Sequence, residues 1–506
     1  MEENRIYYKE LPCYQSAKEK EKRRVYSEPY FDLDELPEGE LRQEIGSFIR
    51  KRGEEVSFVT ILHDKSNFKY LAAFLQKKAG NSRSLKDREA EKWLRQLKAW
   101  MLEKGMPLTK EFKNVYGKIS VKNSPLIQYF NSLLKFLEKE DGRDEKEKDI
   151  WELDKLDLKI RKNPIYNTQA INFKAISQTN IREEVKKAIY RHLDYESLGT
   201  VQREMTSMRN FSNYLKKKRP EIQSCLEIDR AVMEEYLIFR MTENESCRSG
   251  SDEVRKLRAV LESIGKIYNV PHLVNLFINT DIPPELDPEF KVYSDGEMKR
   301  LMACITRLDE QIARCMVIHQ MLGTRISDTL TLRTDCLSKA NGHDMIRIEQ
   351  VKTRVYEKPI SRELADLIKK AVEYTIGKYG KTEYIFVDDR NTGAPLRYTT
   401  VKYKILRMIQ EENLRDDKGC YFKFNTHMFR HYYGVKLTEL HLDDWTIARL
   451  LGHKGLNSVK HYRKMSNQLM ADETRKVREM MTEIIYANLD GWGAEYEQIR
   501  QNDRGK

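Results

Sequence analysis

Four short segments in the C-terminal third of the chain carry side chains able to act together on a phosphodiester: GTRISDTL, QVKTR, HMFRHYYG and LLGHKGLNSVKHY. In order they supply Arg325, Lys352, His427, Arg430, His453 and Tyr462. Guanidinium forks grip paired phosphate oxygens, imidazoles and an amine move protons, and a phenol can attack phosphorus.

Each residue alone has an ordinary reading as well. Arg325 follows a glycine and opens an amphipathic helix, where it either holds an anion beside free backbone N–H groups or merely caps the helix and pairs with Asp328. Lys352 falls between two strand-like runs, at the tip of the expected hairpin, and Lys358 on the return strand is the competing lysine. His427 and Arg430 are three apart and so share a helix face, whereas His431 points elsewhere and reads as structural. His453 sits in a glycine-bounded turn. Tyr432 and Tyr433, directly after Arg430, read as packing residues. Among 27 tyrosines, Tyr462 is singled out by its place behind GHKG.

The intervals are 3 from His427 to Arg430, 23 from Arg430 to His453 and 9 from His453 to Tyr462. Their order and spacing resemble those of the tyrosine recombinase (phage integrase) family, over about residues 290–470. The resemblance implies a phosphate clamp in Arg325 and Arg430 and a hairpin lysine in Lys352 that protonates the leaving 5′ oxygen. It also implies two histidine-type positions in His427 and His453, and a nucleophile in Tyr462 that forms a 3′-phosphotyrosyl bond. It implies no cofactor and no metal. It implies double-stranded DNA as partner, a homo-oligomer of four protomers in a synapse, and room for accessory DNA-bending or directionality proteins. The favoured reading is a site-specific recombinase that integrates, excises or transposes a mobile element. A chromosome-resolution recombinase, a type IB topoisomerase-like enzyme and a DNA-binding regulator with a decayed site are the alternatives.

Composition agrees with a nucleic-acid partner without demanding one. The net charge of +12 attracts polyanions. With 40% apolar and 34% charged residues, 506 residues imply several globular domains. No apolar run approaches the roughly 20 residues a membrane helix needs. The start, MEENRIYYKELPCYQ, lacks the build of a secretion signal. Seven scattered cysteines without a CxxC pair argue against a disulfide framework and a zinc site. A cytoplasmic location is expected.

The elements that must position the six residues form a mainly α chain with a small antiparallel β-sheet in the catalytic domain (α+β). Residues 1–35, aromatic but without helical period, read as an N-terminal arm. Residues 36–150 read as an extra helical module of a DNA-binding or arm type, ending in the apolar-free run EKEDGRDEKEKD, which reads as a solvated linker. Residues 165–285 read as a core-binding (SAM-like) helical DNA-binding domain, closed by NTDIPPELDP. Residues 290–490 make the catalytic domain, with strands at MIRIEQV, YEKPIS and YIFV, and with a stripe over 470–489 suited to packing on its own domain or on a neighbouring protomer. A polar tail fills 491–506. The two helical blocks echo each other at an offset of 140: Thr60 with Thr200, Leu71 with Phe211, Phe74 with Tyr214, Leu75 with Leu215, and Lys77-Lys78 with Lys217-Lys218. Related tandem modules produce such an echo; so do any two amphipathic helices that end in lysines.

Overall fold

The structure, a computed structural model, describes residues 4–17, 19–25, 28–80, 82–114, 116–138, 142–242, 250–282, 291–351, 355–457, 459–465 and 481. The chain divides into two compact units, Met1–Gly142 and Arg143–Lys506.

In the first unit four helices enclose one core: α1 (Glu40–Glu55), α2 (Phe58–Lys78), α3 (Ala90–Glu103) and α4 (Pro125–Leu137). Each buries one stripe of its surface, as the helical period requires. Phe74 and Phe130 are fully buried, with ring centroids 5.9 Å apart. Each such ring contributes about 1.5–3 kcal/mol on burial. The segment expected to be an N-terminal arm belongs to this core. A two-stranded sheet pairs β1 (Arg5–Tyr7) with β2 (Tyr30–Asp32), and Ile6, Tyr8 and Phe31 are buried in the same cluster as α1 to α4. Between α3 and α4, where the sequence suggests only a break, stands an antiparallel hairpin of β3 (Thr109–Lys113) and β4 (Ile119–Asn123).

The second unit opens with another helical module: α5 (Thr179–Tyr195), α6 (Leu198–Lys218), α7 (Arg230–Thr242) and α8 (Gly250–Tyr268). A short sheet of β5 (Ile150–Glu152) and β6 (Ala170–Asn172) precedes it. Part of the charged run expected to be a solvated linker folds here, because the Glu145 carboxylate is buried and accepts from the Glu152 N–H.

Polar contacts decide between the two readings of the echo. Both α2 and α6 have 21 residues and start 140 positions apart behind a serine N-cap. The Ser57 and Thr60 hydroxyls lie 3.0 Å apart, and so do those of Ser197 and Thr200. The Glu44 carboxylate accepts from the Ser84 hydroxyl and the Leu85 N–H; that of Glu184 accepts from the Ser224 hydroxyl and the Cys225 N–H. The buried carboxylates of Asp64 and Glu204 are met by Arg52 (2.6 Å) and His192 (2.8 Å). All of these partners keep the offset of 140. Amphipathic helices recur readily, but buried carboxylates are costly unless each finds its donors. A framework of them repeated position by position identifies two related modules in tandem.

The catalytic part begins with α9 (Asp295–Ile305), whose Ser294 and Glu297 form a capping box, followed by α10 (Glu310–Leu322) and the short α11 (Ile326–Leu330). A three-stranded antiparallel sheet, β7 (Leu337–Ala340), β8 (His343–Glu349) and β9 (Val355–Pro359), realises the first two expected strands. Of YIFV, only Val387 enters a strand, paired with Pro395. Five helices follow: α12 (Arg362–Tyr379), α13 (Tyr398–Glu411), α14 (Thr426–Glu439), α15 (Asp444–Leu451) and α16 (Val459–Met465). The expected helix over 470–489, apart from Met481, and the tail over 491–506 lie outside the described residues. Among the described residues no helix is long and apolar enough to cross a membrane.

Candidate active site

Arg430 ties the site together. It projects from α14 into the domain, 4% exposed, and its guanidinium donates to the Gly323 carbonyl (3.0 Å) and the Leu451 carbonyl (2.7 Å). These carbonyls belong to the ends of α10 and α15, where backbone acceptors are left over and the helix dipole is negative. One side chain therefore links the segments that carry Arg325, His427 and His453. Burial pushes the Arg430 pKa down, while the Tyr462 phenol beside it acts in the opposite direction.

Lys358 serves the neighbouring carbonyl. Its Nζ donates to Leu322 O (2.6 Å) and lies over the Tyr433 ring, and the residue is 2% exposed. Burial, aided by Arg430, lowers the amine to about 7. Lys358 is thus turned inward, away from the hairpin tip for which it competes with Lys352. Lys352 itself lies outside the described residues.

Arg325 is the N-cap residue of α11, without a capping hydrogen bond from its side chain. Its Nη1 faces Asp328 Oδ2 at 3.7 Å, too far for a hydrogen bond, and neither atom has a hydrogen-bond partner. The other Asp328 oxygen accepts from the Ser327 hydroxyl (3.0 Å) and the Val351 N–H (3.4 Å). Burial pushes the Asp328 carboxyl up, against the pull of Arg325. Behind α11, the fully buried His319 bonds Thr329 Oγ1 (2.8 Å) and the Thr426 carbonyl (3.3 Å), which braces Arg325's helix against the start of α14. Burial lowers the His319 imidazole to about 4.

Tyr462 on α16 is 3% exposed. Its ring lies flat against Gly434 of α14, where a Cβ would come within 2.9 Å of the ring. Any other residue at 434 would displace the phenol. Burial raises the Tyr462 pKa, and Arg430 and Arg325 oppose that rise. The His453 ring centroid is 6.1 Å from that of Tyr462. His453 follows the left-handed cap Gly452 (φ 65°), and its N–H donates to Ala448 O (2.8 Å). Burial, then the two arginines, lowers its imidazole to about 4, so it is neutral at pH 7.

His427 and Arg430, three apart on α14, differ in burial. Arg430 points inward, whereas His427 stays exposed in the first turn of α14. His431, read as structural, is the imidazole nearer the phenol: its ring is 6.1 Å from Tyr462 and 6.3 Å from His427, and its Nδ1 is 3.0 Å from Lys291 O. A spacing of four from His427 was the available signal. Tyr433 packs over Gly323, where a Cβ would come within 2.3 Å of its ring. Tyr432 instead donates to Asp295 at the surface (2.8 Å).

Two buried or half-buried guanidiniums, a neutral imidazole and a phenol thus converge, with the His431 imidazole beside the phenol and His427 next to His431. Residues 291–468 match the model of the Phage integrase family. Over 423 residues the chain is 26% identical to "Transposase B from transposon Tn554" of Staphylococcus aureus, covering 81% of this chain. It spans 66% of that relative's length, slightly less than two thirds. Over 200 residues (39% of this chain, 65% of the relative) it is 26% identical to the tyrosine recombinase XerA of Thermococcus kodakarensis. Among solved structures, the XerH site-specific recombinase bound to a palindromic difH substrate aligns with 60% of this chain and 91% of its own, at 16% identity and a TM-score of 0.43.

Proposed function

We propose that the protein is a site-specific DNA recombinase of a transposon-type mobile element, breaking and rejoining strands through Tyr462. The observation that carries this reading is the convergence of Arg325, Arg430 and His453 on the Tyr462 ring. The Tyr462 oxygen attacks the scissile phosphorus. A phosphotyrosyl bond forms to the 3′ side, and the bond from phosphorus to the 5′ oxygen breaks. Covalent capture conserves the bond energy, so a 5′ hydroxyl of a partner strand can reverse the step and complete exchange. Arg325 and Arg430 stabilise the charge that grows on the non-bridging oxygens, preorganised and largely out of water. Neutral His453 donates a hydrogen bond to the phosphate. A buried phenol with a raised pKa needs a proton acceptor, and the imidazoles of His427 and His431 supply one. Lys352 protonates the leaving 5′ oxygen. Double-stranded DNA is the substrate, four protomers form the synapse, and the cytoplasm is the place of action. The Tn554 relative's name supports the mobile-element assignment.

The test is a nicked suicide duplex built from the joined ends of the element that encodes the chain. Denaturing electrophoresis should show a covalent protein–DNA adduct with the wild type and none with Tyr462→Phe. An adduct in Tyr462→Phe, or its absence from the wild type on every end sequence, overturns the assignment.

A further inference from the structure

We propose that the β3–β4 hairpin of the first unit enters the major groove of duplex DNA. This goes beyond the catalytic reading, because it concerns another unit and needs none of the chemistry of Tyr462.

All ten strand residues of the hairpin are exposed. The core of its module closes without it, with Trp93 of α3 and Phe130 of α4 fully buried. A two-stranded ribbon left alone in water is marginally stable. Its register makes it less so. Lys110 stands directly opposite Lys122, and like charges opposed across an antiparallel pair are destabilising. Both ammoniums lie over the Phe112 ring between them, at 5.7 and 5.1 Å. Phe112 pairs with Ser120, and the Asn114 N–H donates to Lys118 O one step further. Strand alternation therefore puts Lys110, Phe112, Lys118, Ser120 and Lys122 on one face. The acid of the strands, Glu111, pairs with Val121 on the other.

That face holds cations in a row, an aromatic among them and a hydroxyl, with no carboxylate of its own. A polyanion relieves the lysine repulsion. The major groove of duplex DNA admits a two-stranded ribbon and flanks it with phosphates on both sides. An acidic protein lacks that regular double row, and an anionic membrane has no groove to receive both strands.

The test uses the full chain on a random-sequence duplex, with affinity measured across a salt series. Lys110→Ala/Lys118→Ala/Lys122→Ala should bind at least tenfold more weakly at moderate salt and should flatten the log–log salt slope by about 2–3, near 0.9 per lost phosphate contact. Phe112→Ala should weaken binding with the slope unchanged. A duplex whose major groove is filled by glucosylated hydroxymethylcytosine should bind the wild type as weakly as a plain duplex binds the triple variant. Adduct formation through Tyr462 on a short suicide duplex should stay within twofold, so the failure of this proposal and of the recombinase reading are told apart. Unaltered thermal unfolding of the variants excludes misfolding. The proposal is overturned by an unchanged slope, by full affinity for the filled groove, by an equal effect of Lys98→Ala/Lys104→Ala/Lys135→Ala on α3 and α4, or by loss of binding to anionic vesicles alone.

Discussion

The repeated acids of the helical modules and the Arg325–Asp328 pair of the C-terminal domain treat buried charge in opposite ways. In the modules, Asp64 meets Arg52 at 2.6 Å and Glu204 meets His192 at 2.8 Å, and the same positions do so in both copies. In the catalytic domain, Arg325 and Asp328 stand 3.7 Å apart with a nitrogen and an oxygen left without hydrogen bonds, and the buried Tyr356 hydroxyl close by also has none. These repeated acids find their donors inside the modules. The Arg325–Asp328 pair keeps hydrogen-bonding capacity unmet, and in the proposed function an incoming phosphate completes it. Unmet hydrogen-bonding capacity in a low-dielectric setting is costly at rest and most effective when a ligand satisfies it.

Three substitutions test this contrast, in order of expected effect. Arg430→Lys keeps the charge but cannot span both carbonyls and a phosphate. Single-turnover cleavage should fall by about 10²–10³, the usual loss for one stabilising donor. A change that lowers stability while leaving cleavage intact would place Arg430 with the structural pairs instead. His192→Ala leaves Glu204 buried without its partner and should cost about 3 kcal/mol in denaturant unfolding. Cleavage per folded molecule should hold. A matching drop in cleavage would erase the distinction between the regions. His319 sharpens it through pH. Its folded pKa, about 4, lies below the ordinary 6.5, so the unfolded chain takes up the proton first. The stability it contributes is present above pH 6.5 and lost as pH falls toward 4. The loss should reach about 2 kcal/mol by pH 5. His319→Gln should remove that portion of the pH dependence, measured as unfolding midpoints at pH 7 and 5. An unaltered pH dependence would show that His319 is not buried as a neutral ring.

What the sequence revealed, and what it hid, follows from how each feature is encoded. Arg430, His453 and Tyr462 were readable as candidates because their intervals are local and the helices between them regular, and Arg325 because it opens a helix in the GTRISDTL segment. Lys358 and His319 were not, because a buried lysine and a buried histidine look like surface residues until strand and helix are docked. Lys352 lies outside the described residues. His431 reads as structural because one step from Arg430 points elsewhere, while its spacing of four from His427 carries the signal. The hairpin escaped notice since both of its faces are wet: the alternation in TKEFK and ISVKN sets lysine against lysine and never forms an apolar stripe. The tandem repeat showed faintly in apolar residues, whereas Glu44 and Glu184, which establish it, resemble any helical surface acid. The N-terminal strands, three residues each, are too short for period-2 patterning to emerge.

Arg430 grips the ends of two helices that meet only when the domain is complete. A half-folded chain, still emerging from synthesis or briefly opened by heat, carries Tyr462 without the assembled Arg430 linkage. Folding and assembly of the clamp are then a single event, and in the proposed function the chain cannot begin to cut before its own structure is finished.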